Sequence, residues 1–382
     1  MSHFVKNLAG NNYMINRNKP EIVSLFSGCG GMDIGFEDAG FNVVFANDIE
    51  KSVKAPYEAY FKKPILIKDI SLLDIDEDIP SCDLVLAGIP CQPFSNAGNR
   101  GSMEDDRGSL FEHVINVLDK KRPKVVIFEN VRGFTSAKDD KGVPMPERLK
   151  AEMKLHDYEC TWELLNASDF GVPQNRYRVV IVGVRKDIYE SFGPFKFPEK
   201  IQDKSHLTVD SVISNPLPEG EEHEHWKLSP QALHLEKFIP EGGSWKSVPI
   251  EELPERLLKI RREMKRYRSP NFYRRFARHE IMGTITAAAT PENSGILHPL
   301  KSRRYCVREI ARFQSFPDSY KFIGSSTAKK YKMIGNAVPP KFAKTIAESI
   351  SSQYFSAKIK VLRENEVAEP KCEALDHIAA VS

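Results

Sequence analysis

The stretch Leu86-Ala87-Gly88-Ile89-Pro90-Cys91-Gln92-Pro93-Phe94-Ser95 decides how the rest of the chain is interpreted. The apolar run leading into it, residues 84–87, predicts a buried strand, and Gly88 ends that strand. Pro90 fixes its own φ angle and favours an extended residue before it, so Cys91 leaves the strand end in a defined direction. An α/β enzyme holds a nucleophile at such a strand end. A buried structural cysteine is the commoner case for an arbitrary cysteine, and both interpretations stay open from this stretch alone.

The composition is that of a soluble globular protein. The 382 residues, 41% hydrophobic and 28% charged, allow one large domain and a smaller one. The absence of a membrane-length apolar run and of a signal-peptide core predicts a cytoplasmic protein without membrane contact. The net charge of +3 is too small to indicate nucleic acid by itself. The six cysteines are scattered, which favours reduced thiols and predicts no metal site; they are Cys29, Cys82, Cys91, Cys160, Cys306 and Cys372.

A glycine-rich turn follows the first predicted strand. Residues 22–26 form an apolar run, Ser27-Gly28-Cys29-Gly30-Gly31 comes next, and a helical pattern continues to Ala39. Strand, glycine turn and helix let a cofactor approach the backbone at a helix amino terminus. The glycines do not fit G-x-G-x-x-G, which disfavours a dinucleotide cofactor. A plain tight turn remains the alternative for this segment.

Acidic residues stand at the ends of further predicted strands. Asp48 and Asp69 follow the second and third strands, where a carboxylate suits the hydroxyls of a nucleoside cofactor. Glu129 follows the fifth strand, next to the strand that ends at Cys91. Apolar surroundings would raise the pKa of Glu129 and let it carry a proton near neutral pH. The cysteine and the glutamate therefore form a candidate nucleophile and acid pair.

Strands alternate with helices as far as residue 185, which predicts an open, mostly parallel sheet. Arg176 and Arg178 stand two residues apart beside the last of these strands. Side chains with that spacing on a strand share a face, so both guanidiniums can act on one anionic or carbonyl-rich target. The glycine-bearing loop 95–108 is either a solvated surface loop or a lid that closes on substrate.

From about residue 192 to 300 the alternation is lost, which predicts a second, irregular domain. Residues 256–278 hold ten arginines or lysines and one acid, Glu263, with aromatic residues between them. This pattern is typical of a phosphate-contacting surface, with a solvated basic helix as the alternative. The predicted division is a catalytic cofactor-binding domain at 21–190 plus 328–355, a recognition domain at 191–327, and terminal arms at 1–20 and 356–382.

The motifs together resemble one family, the DNA cytosine-5 methyltransferases of bacterial restriction-modification systems. Six motifs occur in the family's order; they are Phe26-Ser27-Gly28-Cys29-Gly30-Gly31, Pro90-Cys91-Gln92-Pro93-Phe94-Ser95, Glu129-Asn130-Val131, Gln174-x-Arg176-x-Arg178, Arg308-Glu309 through Phe316-Pro317-Asp318, and Gly335-Asn336-Ala337-Val338-Pro339-Pro340. One tripeptide is weak evidence, but six in order are specific. Residues 240–245 and 284–286 also look like the family's target-recognition region.

The resemblance implies a Rossmann-like fold, with helices on both faces of the sheet, that transfers a methyl group from S-adenosylmethionine to carbon 5 of a cytosine in a specific duplex sequence. Carbon 5 becomes nucleophilic only after addition to carbon 6, which the thiolate of Cys91 would supply. Glu129 would bind the base edge at N3 and the amino group. Arg176 and Arg178 would contact the base carbonyl or a phosphate. The group that removes the carbon-5 proton is not assigned.

The same resemblance implies the cofactor contacts, with S-adenosylhomocysteine as product and no metal. Phe26 would lie against the adenine, Asp48 would hold the ribose and Asp69 the adenine amino group. The family more often has glutamate where Asp48 stands. The expected cofactor residues are Phe26, Ser27, Gly28, Cys29, Gly30, Gly31, Asp48, Ile49, Asp69, Ile70, Pro90, Leu110, Asn336 and Ala337.

Double-stranded DNA is the expected partner, and a stacked base must be flipped out to reach a strand-end thiol. The expected DNA contacts are Gln92, Ser95, Arg100, Arg274, Arg275, Thr284 and Thr286. An RNA cytosine-5 methyltransferase acting on transfer RNA and an inactive DNA-binding protein of this fold are the alternatives. We further expect a monomer from a prokaryotic cytoplasm, nucleoid-associated when bound to DNA, with a cognate restriction endonuclease in the same genome as a hypothesis.

Overall fold

The computed structural model describes residues 3–6, 12–15, 19–90, 108–139, 141–263, 272–288 and 295–356. The strands are β1 (His3–Lys6), β2 (Asn12–Ile15), β3 (Glu21–Leu25), β4 (Asn42–Asp48), β5 (Leu66–Ile67), β6 (Leu84–Ala87), β7 (Val125–Val131), β8 (Tyr158–Asn166) and β9 (Tyr177–Arg185). The helices are α1 (Gly31–Asp38), α2 (Lys54–Phe61), α3 (Gly108–Lys121), α4 (Met145–Leu155), α5 (Lys186–Phe192), α6 (Val209–Ile213), α7 (Pro230–Leu235), α8 (Glu255–Arg262), α9 (Val307–Phe313), α10 (Thr327–Asn336) and α11 (Pro340–Ile350). Within these ranges no helix is both long and apolar enough to cross a bilayer.

A seven-stranded sheet in the order β5-β4-β3-β6-β7-β9-β8 forms the centre of the molecule. Strands β3 to β7 pair in parallel, whereas β9 runs antiparallel to both of its neighbours. The prediction of a mostly parallel sheet is therefore confirmed. β1 and β2 form a separate antiparallel pair.

The central strands are buried on both faces, which explains their unbroken apolar sequences. Successive residues of β3 alternate between two hydrophobic clusters: Ile22 packs on one face, and Val23 packs on the other. The helices α1 and α11 cover the first face, while α3 and α4 cover the second. The sheet thereby holds the carboxyl ends of its parallel strands in one rigid row.

The irregular segment has a small hydrophobic core of its own. Trp245 lies at its centre, packed with residues between 228 and 297, among them Leu235 and Phe272. The flanking parts pack elsewhere, since Val209 and the apolar residues of α9 belong to the large cluster beside the sheet. The proposed boundaries at 191 and 327 stay a prediction, and the independent core covers a shorter range inside them.

Candidate active site

The acidic residues singled out in the sequence lie along one edge of the sheet. Leu25, at the end of β3, is opposite Ala87, at the end of β6, and Ala87 is opposite Phe128 in β7. Asp48 ends β4 on the same side. Because parallel strands present their carboxyl ends together, the turn after β3, the residues after β6 and Glu129 of β7 all face one crevice.

Arg178 reaches this edge because β9 is antiparallel. The amino end of β9 lies beside the carboxyl end of β7, with Arg178 opposite Val131 and Val180 opposite Glu129. Arg178 and Glu129 are thus diagonal neighbours on one face, within reach of long side chains. Arg178 Nε lies 2.6 Å from Glu129 Oε1, and the two side chains are 9% and 13% exposed. The site therefore contains a nearly buried ion pair.

This ion pair shows that the surroundings of Glu129 are not the purely apolar ones expected from the sequence. The structure places the guanidinium of Arg178 directly against the carboxyl group of Glu129. The expected role of Glu129 as a proton carrier stays a prediction.

Asn130, to which the sequence analysis gave no role, connects β7 to the residues before the cysteine. It is 7% exposed, and its Nδ2 donates a 3.4 Å hydrogen bond to the carbonyl of Ile89. Its Oδ1 accepts from the N–H of Val131. The side chain therefore fixes the segment Ile89–Pro90 relative to Glu129.

Asn130→Ala should lower kcat for the reaction proposed below about three- to tenfold, because it removes one long hydrogen bond and leaves the half-buried carbonyl of Ile89 without it. KM for cofactor should stay within about twofold. Asn116→Ala is the matched control, since Asn116 lines the same cavity from α3. Equal kcat values for the two variants in steady-state assays would contradict a positioning role for Asn130.

Arg176 has hydrogen-bond partners of its own, and the shared target expected for it and Arg178 stays a prediction. Arg176 precedes β9, which begins at Tyr177, so the alternation argument for strand residues does not apply to it. Its side chain is fully buried, and its guanidinium donates to the carbonyls of Ile285, Gly335 and Ala337. Arg176 is therefore a cross-link between backbone segments.

The glycine turn after β3 is braced by Asp48. Asp48 Oδ2 accepts a 2.8 Å hydrogen bond from the N–H of Gly28, and Oδ1 accepts a 2.7 Å bond from the N–H of Glu50. Burial raises the pKa of Asp48, against the opposing effect of these hydrogen bonds. Each carboxylate oxygen keeps a further lone pair, so the side chain can still accept from hydroxyl groups.

A buried acid beneath the turn was not recognised from the sequence. Asp33, fully buried in α1, accepts from the hydroxyl of Ser24 at 2.6 Å and from that of Tyr57 at 2.7 Å. Burial raises the pKa of Asp33 to about 6. Ser27 donates to Ser24 Oγ, which continues this network into the turn. The sequence did not indicate Asp33, because a single aspartate inside a helix does not change the apolar periodicity of that helix.

The roles of the other predicted cofactor residues stay predictions, and the structure gives their local contacts and exposure. Asp69 accepts from the N–H and the hydroxyl of Ser71, and the N–H bond holds the pKa of Asp69 below its usual range. Ile49 is 65% exposed, which is unusual for isoleucine and leaves an apolar surface beside Asp48. Phe26 adopts a positive φ of 55° after β3. The remaining members are buried or half-buried, apart from the exposed Pro90 and Asn336; they are Ser27, Gly28, Cys29, Gly30, Gly31, Ile70, Leu110 and Ala337.

Gly31 allows the turn to pack against the carboxyl-terminal segment. A Cβ atom at Gly31 would lie 2.2 Å from the carbonyl oxygen of Val338, far inside van der Waals contact. The close approach brings residues 337–338 against the beginning of α1. The turn and the segment around Asn336 therefore form a single wall of the crevice.

Gly31→Ala should lower the free energy of unfolding by about 1–3 kcal/mol and weaken cofactor binding about tenfold or more, because backbone must move to admit the methyl group. Gly88→Ala is the matched control, since its Cβ would come no closer than 3.6 Å to a neighbour. Thermal unfolding and calorimetric titration with S-adenosylhomocysteine measure both effects. Wild-type binding by Gly31→Ala would show that this packing is unimportant.

The cysteines that the structure describes are poor nucleophiles. Burial raises the pKa of the thiols of Cys29, Cys82, Cys160 and Cys306 to about 12 in each case. The reactive form of cysteine is the thiolate, which such pKa values suppress at neutral pH. Cys29 lies in the cofactor turn, yet its Sγ faces the carbonyl of Met333. None of these four thiols competes with Cys91 as the candidate nucleophile.

Cys91, Gln92, Ser95 and Arg100 lie outside the described residues, and their roles stay predictions. Pro90, Glu129 and Asn130 line a cavity of about 380 Å³, and residues of α3 and α4 line it as well.

The expected DNA contacts of Arg274 and Arg275 stay predictions, and the structure gives both guanidiniums partners within the protein. Arg274 pairs with Glu280 at 2.5 Å and donates to the carbonyl of Gly242, while Arg275 pairs with Glu236. Each of these guanidiniums therefore already has a carboxylate beside it.

The two threonines of the predicted recognition segment turn their hydroxyls inward. Thr284 Oγ1 donates to the carbonyl of Asn175 at 2.7 Å. Thr286 Oγ1 is inaccessible to solvent and has no hydrogen-bond partner among the described residues. In this structure the hydroxyl of Thr284 anchors the segment and that of Thr286 is packed inside it, and the expected contacts of both residues with DNA stay predictions.

Comparison with known proteins supports the same family as the motifs. Residues 21–352 match the model of the C-5 cytosine-specific DNA methylases. The Type II methyltransferase M.NgoFVII of Neisseria gonorrhoeae is 34% identical over 368 residues, covering 94% of both chains. M.FnuDI of Fusobacterium nucleatum, also a Type II methyltransferase, is 31% identical and covers 90% of this chain and 97% of its own.

Solved structures show the same fold at lower identity. The Dnmt2 methyltransferase of S. pombe superposes with a TM-score of 0.56 at 20% identity, covering 88% of this chain and 100% of its own. The Entamoeba histolytica methyltransferase EhMeth gives a TM-score of 0.59 at 17% identity, covering 87% and 98%. At these identities the likeness concerns the fold alone.

Proposed function

The chain belongs to the C-5 cytosine-specific DNA methylase family, and from this premise we propose that it transfers a methyl group from S-adenosylmethionine to carbon 5 of cytosine in a specific duplex DNA sequence. The main structural support is the ion pair of Glu129 and Arg178 at the carboxyl edge of the sheet. Glu129 stands on β7, and β7 pairs with β6, the strand that leads to Pro90 and Cys91.

The cofactor site fits S-adenosylmethionine on the chemistry of its side chains. Asp48 keeps lone pairs for ribose hydroxyls, the half-buried carboxylate of Asp69 suits an adenine amino group, and the exposed side chain of Ile49 offers an apolar face. When bound, this cofactor supplies the electrophilic methyl group. The amino end of α1 lies at the turn, where N–H groups suit the carboxylate of its methionine portion.

The chemistry at the base follows from the residues at the edge. The Cys91 thiolate adds to carbon 6, and the electrons displaced toward N3 and the carbonyl make carbon 5 nucleophilic. Glu129 binds the N3 and amino edge, and Arg178 stabilises negative charge on the carbonyl side. After methylation, loss of the carbon-5 proton and expulsion of the thiolate release 5-methylcytosine. The acceptor of that proton is not assigned.

The target base must leave the duplex for this reaction, because a strand-end thiol cannot approach the face of carbon 6 in a stacked base. The irregular segment, with its separate core around Trp245, is the proposed recognition domain. The exposed basic residues of α8, Arg256, Lys259 and Arg262, repeat every third position and suit phosphate contacts. Association with a restriction endonuclease of matching specificity is part of the proposal, as for Type II systems.

Transfer of tritiated methyl from S-adenosylmethionine to duplex DNA tests the proposal. We expect label in duplex DNA that carries unmodified cytosine, and we expect loss of that label when cytosines at the site are replaced by 5-methylcytosine. Transfer RNA in parallel reactions should stay unlabelled. Labelled transfer RNA with unlabelled DNA would favour the RNA enzyme, and binding of DNA without any transfer would favour the inactive protein.

A further inference from the structure

A buried set of amide hydrogen bonds lies away from the proposed catalytic pair. Gln174 and Gln314 are both fully buried, and they join through a 3.1 Å bond from Gln174 Nε2 to Gln314 Oε1. Gln174 precedes β9, and Gln314 follows α9. Buried amides of this kind are costly to place unless all their groups are bonded, so their partners show what they position.

One partner is Ile285, in the middle of the segment 284–287. The N–H of Ile285 donates to Gln174 Oε1 at 2.9 Å, and its carbonyl accepts from Arg176 Nη1 at 2.9 Å. Both the N–H and the carbonyl of Ile285 are therefore hydrogen-bonded by side chains of the short loop that contains Gln174 and Arg176. The segment 284–287 has no helix or strand partner for its backbone at Ile285, so these side chains set its position.

The other partners lie at the end of α10. Gln314 Nε2 donates to the carbonyl of Ile334 at 2.7 Å, and Arg176 Nη2 donates to the carbonyl of Gly335 at 2.8 Å. A Cβ atom at Gly335 would lie 2.5 Å from backbone atoms of Thr286 and Ala287. The segment 284–287 therefore lies directly on Gly335, next to the expected cofactor residues Asn336 and Ala337.

We infer that Gln314 is a positioning residue for target recognition: with Gln174, it fixes the segment 284–287 against residues 334–337. This inference rests on the proposed DNA methyltransferase function, in which 284–287 is part of the recognition region. The relay Ile285–Gln174–Gln314–Ile334 holds backbone rather than substrate, so its loss should change DNA discrimination while leaving the Glu129–Arg178 pair intact.

Gln314→Met tests the inference, because methionine keeps the volume and removes both hydrogen bonds. We expect KM for a duplex carrying the target site to rise about tenfold, with kcat within about threefold. We also expect the ratio of kcat/KM between the target duplex and a single-mismatch duplex to fall about tenfold or more. Gln314→Asn, which keeps an amide on a shorter arm, should give intermediate values and is the second variant if Gln314→Met is insoluble.

The matched control is Gln353→Met, since Gln353 donates to the carbonyls of Lys196 and Ser349, far from the recognition segment. It should lower thermal stability without changing either DNA parameter. If Gln314 were merely structural, Gln314→Met would behave like this control. An unchanged ratio of kcat/KM between the target and mismatch duplexes would overturn this inference but not the proposed function. A wild-type enzyme that modifies no DNA would overturn the proposed function as well.

Discussion

Glu129→Gln is expected to lower kcat for methyl transfer to duplex DNA by about two to four orders of magnitude, with KM for S-adenosylmethionine within about threefold. The amide keeps the shape of the side chain but removes the negative charge beside Arg178, with which it pairs at 2.6 Å. It also presents an N–H where the reaction needs an acceptor or an acid. Single-turnover rates with saturating cofactor measure the chemical step directly.

Glu159→Gln is the matched control, because Glu159 lies on the outer strand β8 and pairs with Lys154 at 3.6 Å. Its rate should stay within about twofold of wild type. A Glu129→Gln enzyme as fast as this control would show that the strand-edge carboxylate takes no part in the chemistry.

Cys91→Ala should abolish methyl transfer, because carbon 5 of cytosine is not nucleophilic without addition at carbon 6. Cofactor affinity should stay within about threefold, since the proposed cofactor contacts are made by residues other than Cys91. Tritium transfer to DNA and calorimetric titration with S-adenosylhomocysteine separate the two properties.

Cys82→Ala is the comparison for this variant, since burial raises the pKa of the Cys82 thiol to about 12. It should keep wild-type transfer. Undiminished transfer by Cys91→Ala, or loss of transfer by Cys82→Ala alone, would reject Cys91 as the nucleophile.

The sheet was predictable because its central strands are buried on both faces, so that residues 84–87 and 125–128 appear as unbroken apolar runs. The antiparallel direction of β9 was not predictable, because apolar periodicity is the same for either direction of a strand. That direction is what brings Arg178 to Glu129. The ion pair thus depends on topology that local sequence does not specify.

The position of Asp48 and Glu129 at one edge of the sheet was predictable from the sequence, whereas contacts with distant backbone were not. Arg176 donates to carbonyls more than 100 residues away in sequence, and no local pattern indicates such partners. Arg275 similarly pairs with Glu236, so a basic run that looks like a phosphate surface is partly neutralised by folding. Asn130 acts through the carbonyl of Ile89, which only the paired strands bring within reach.

Bisulfite sequencing of DNA from cells that express the protein tests the central claim most directly, because it reports both the reaction and the sequence that is recognised. We predict protected cytosines at one defined duplex sequence with the wild-type protein, and none at that sequence with Cys91→Ala. Absence of protected cytosines with the wild-type protein, or modified cytosine in transfer RNA alone, would contradict the account.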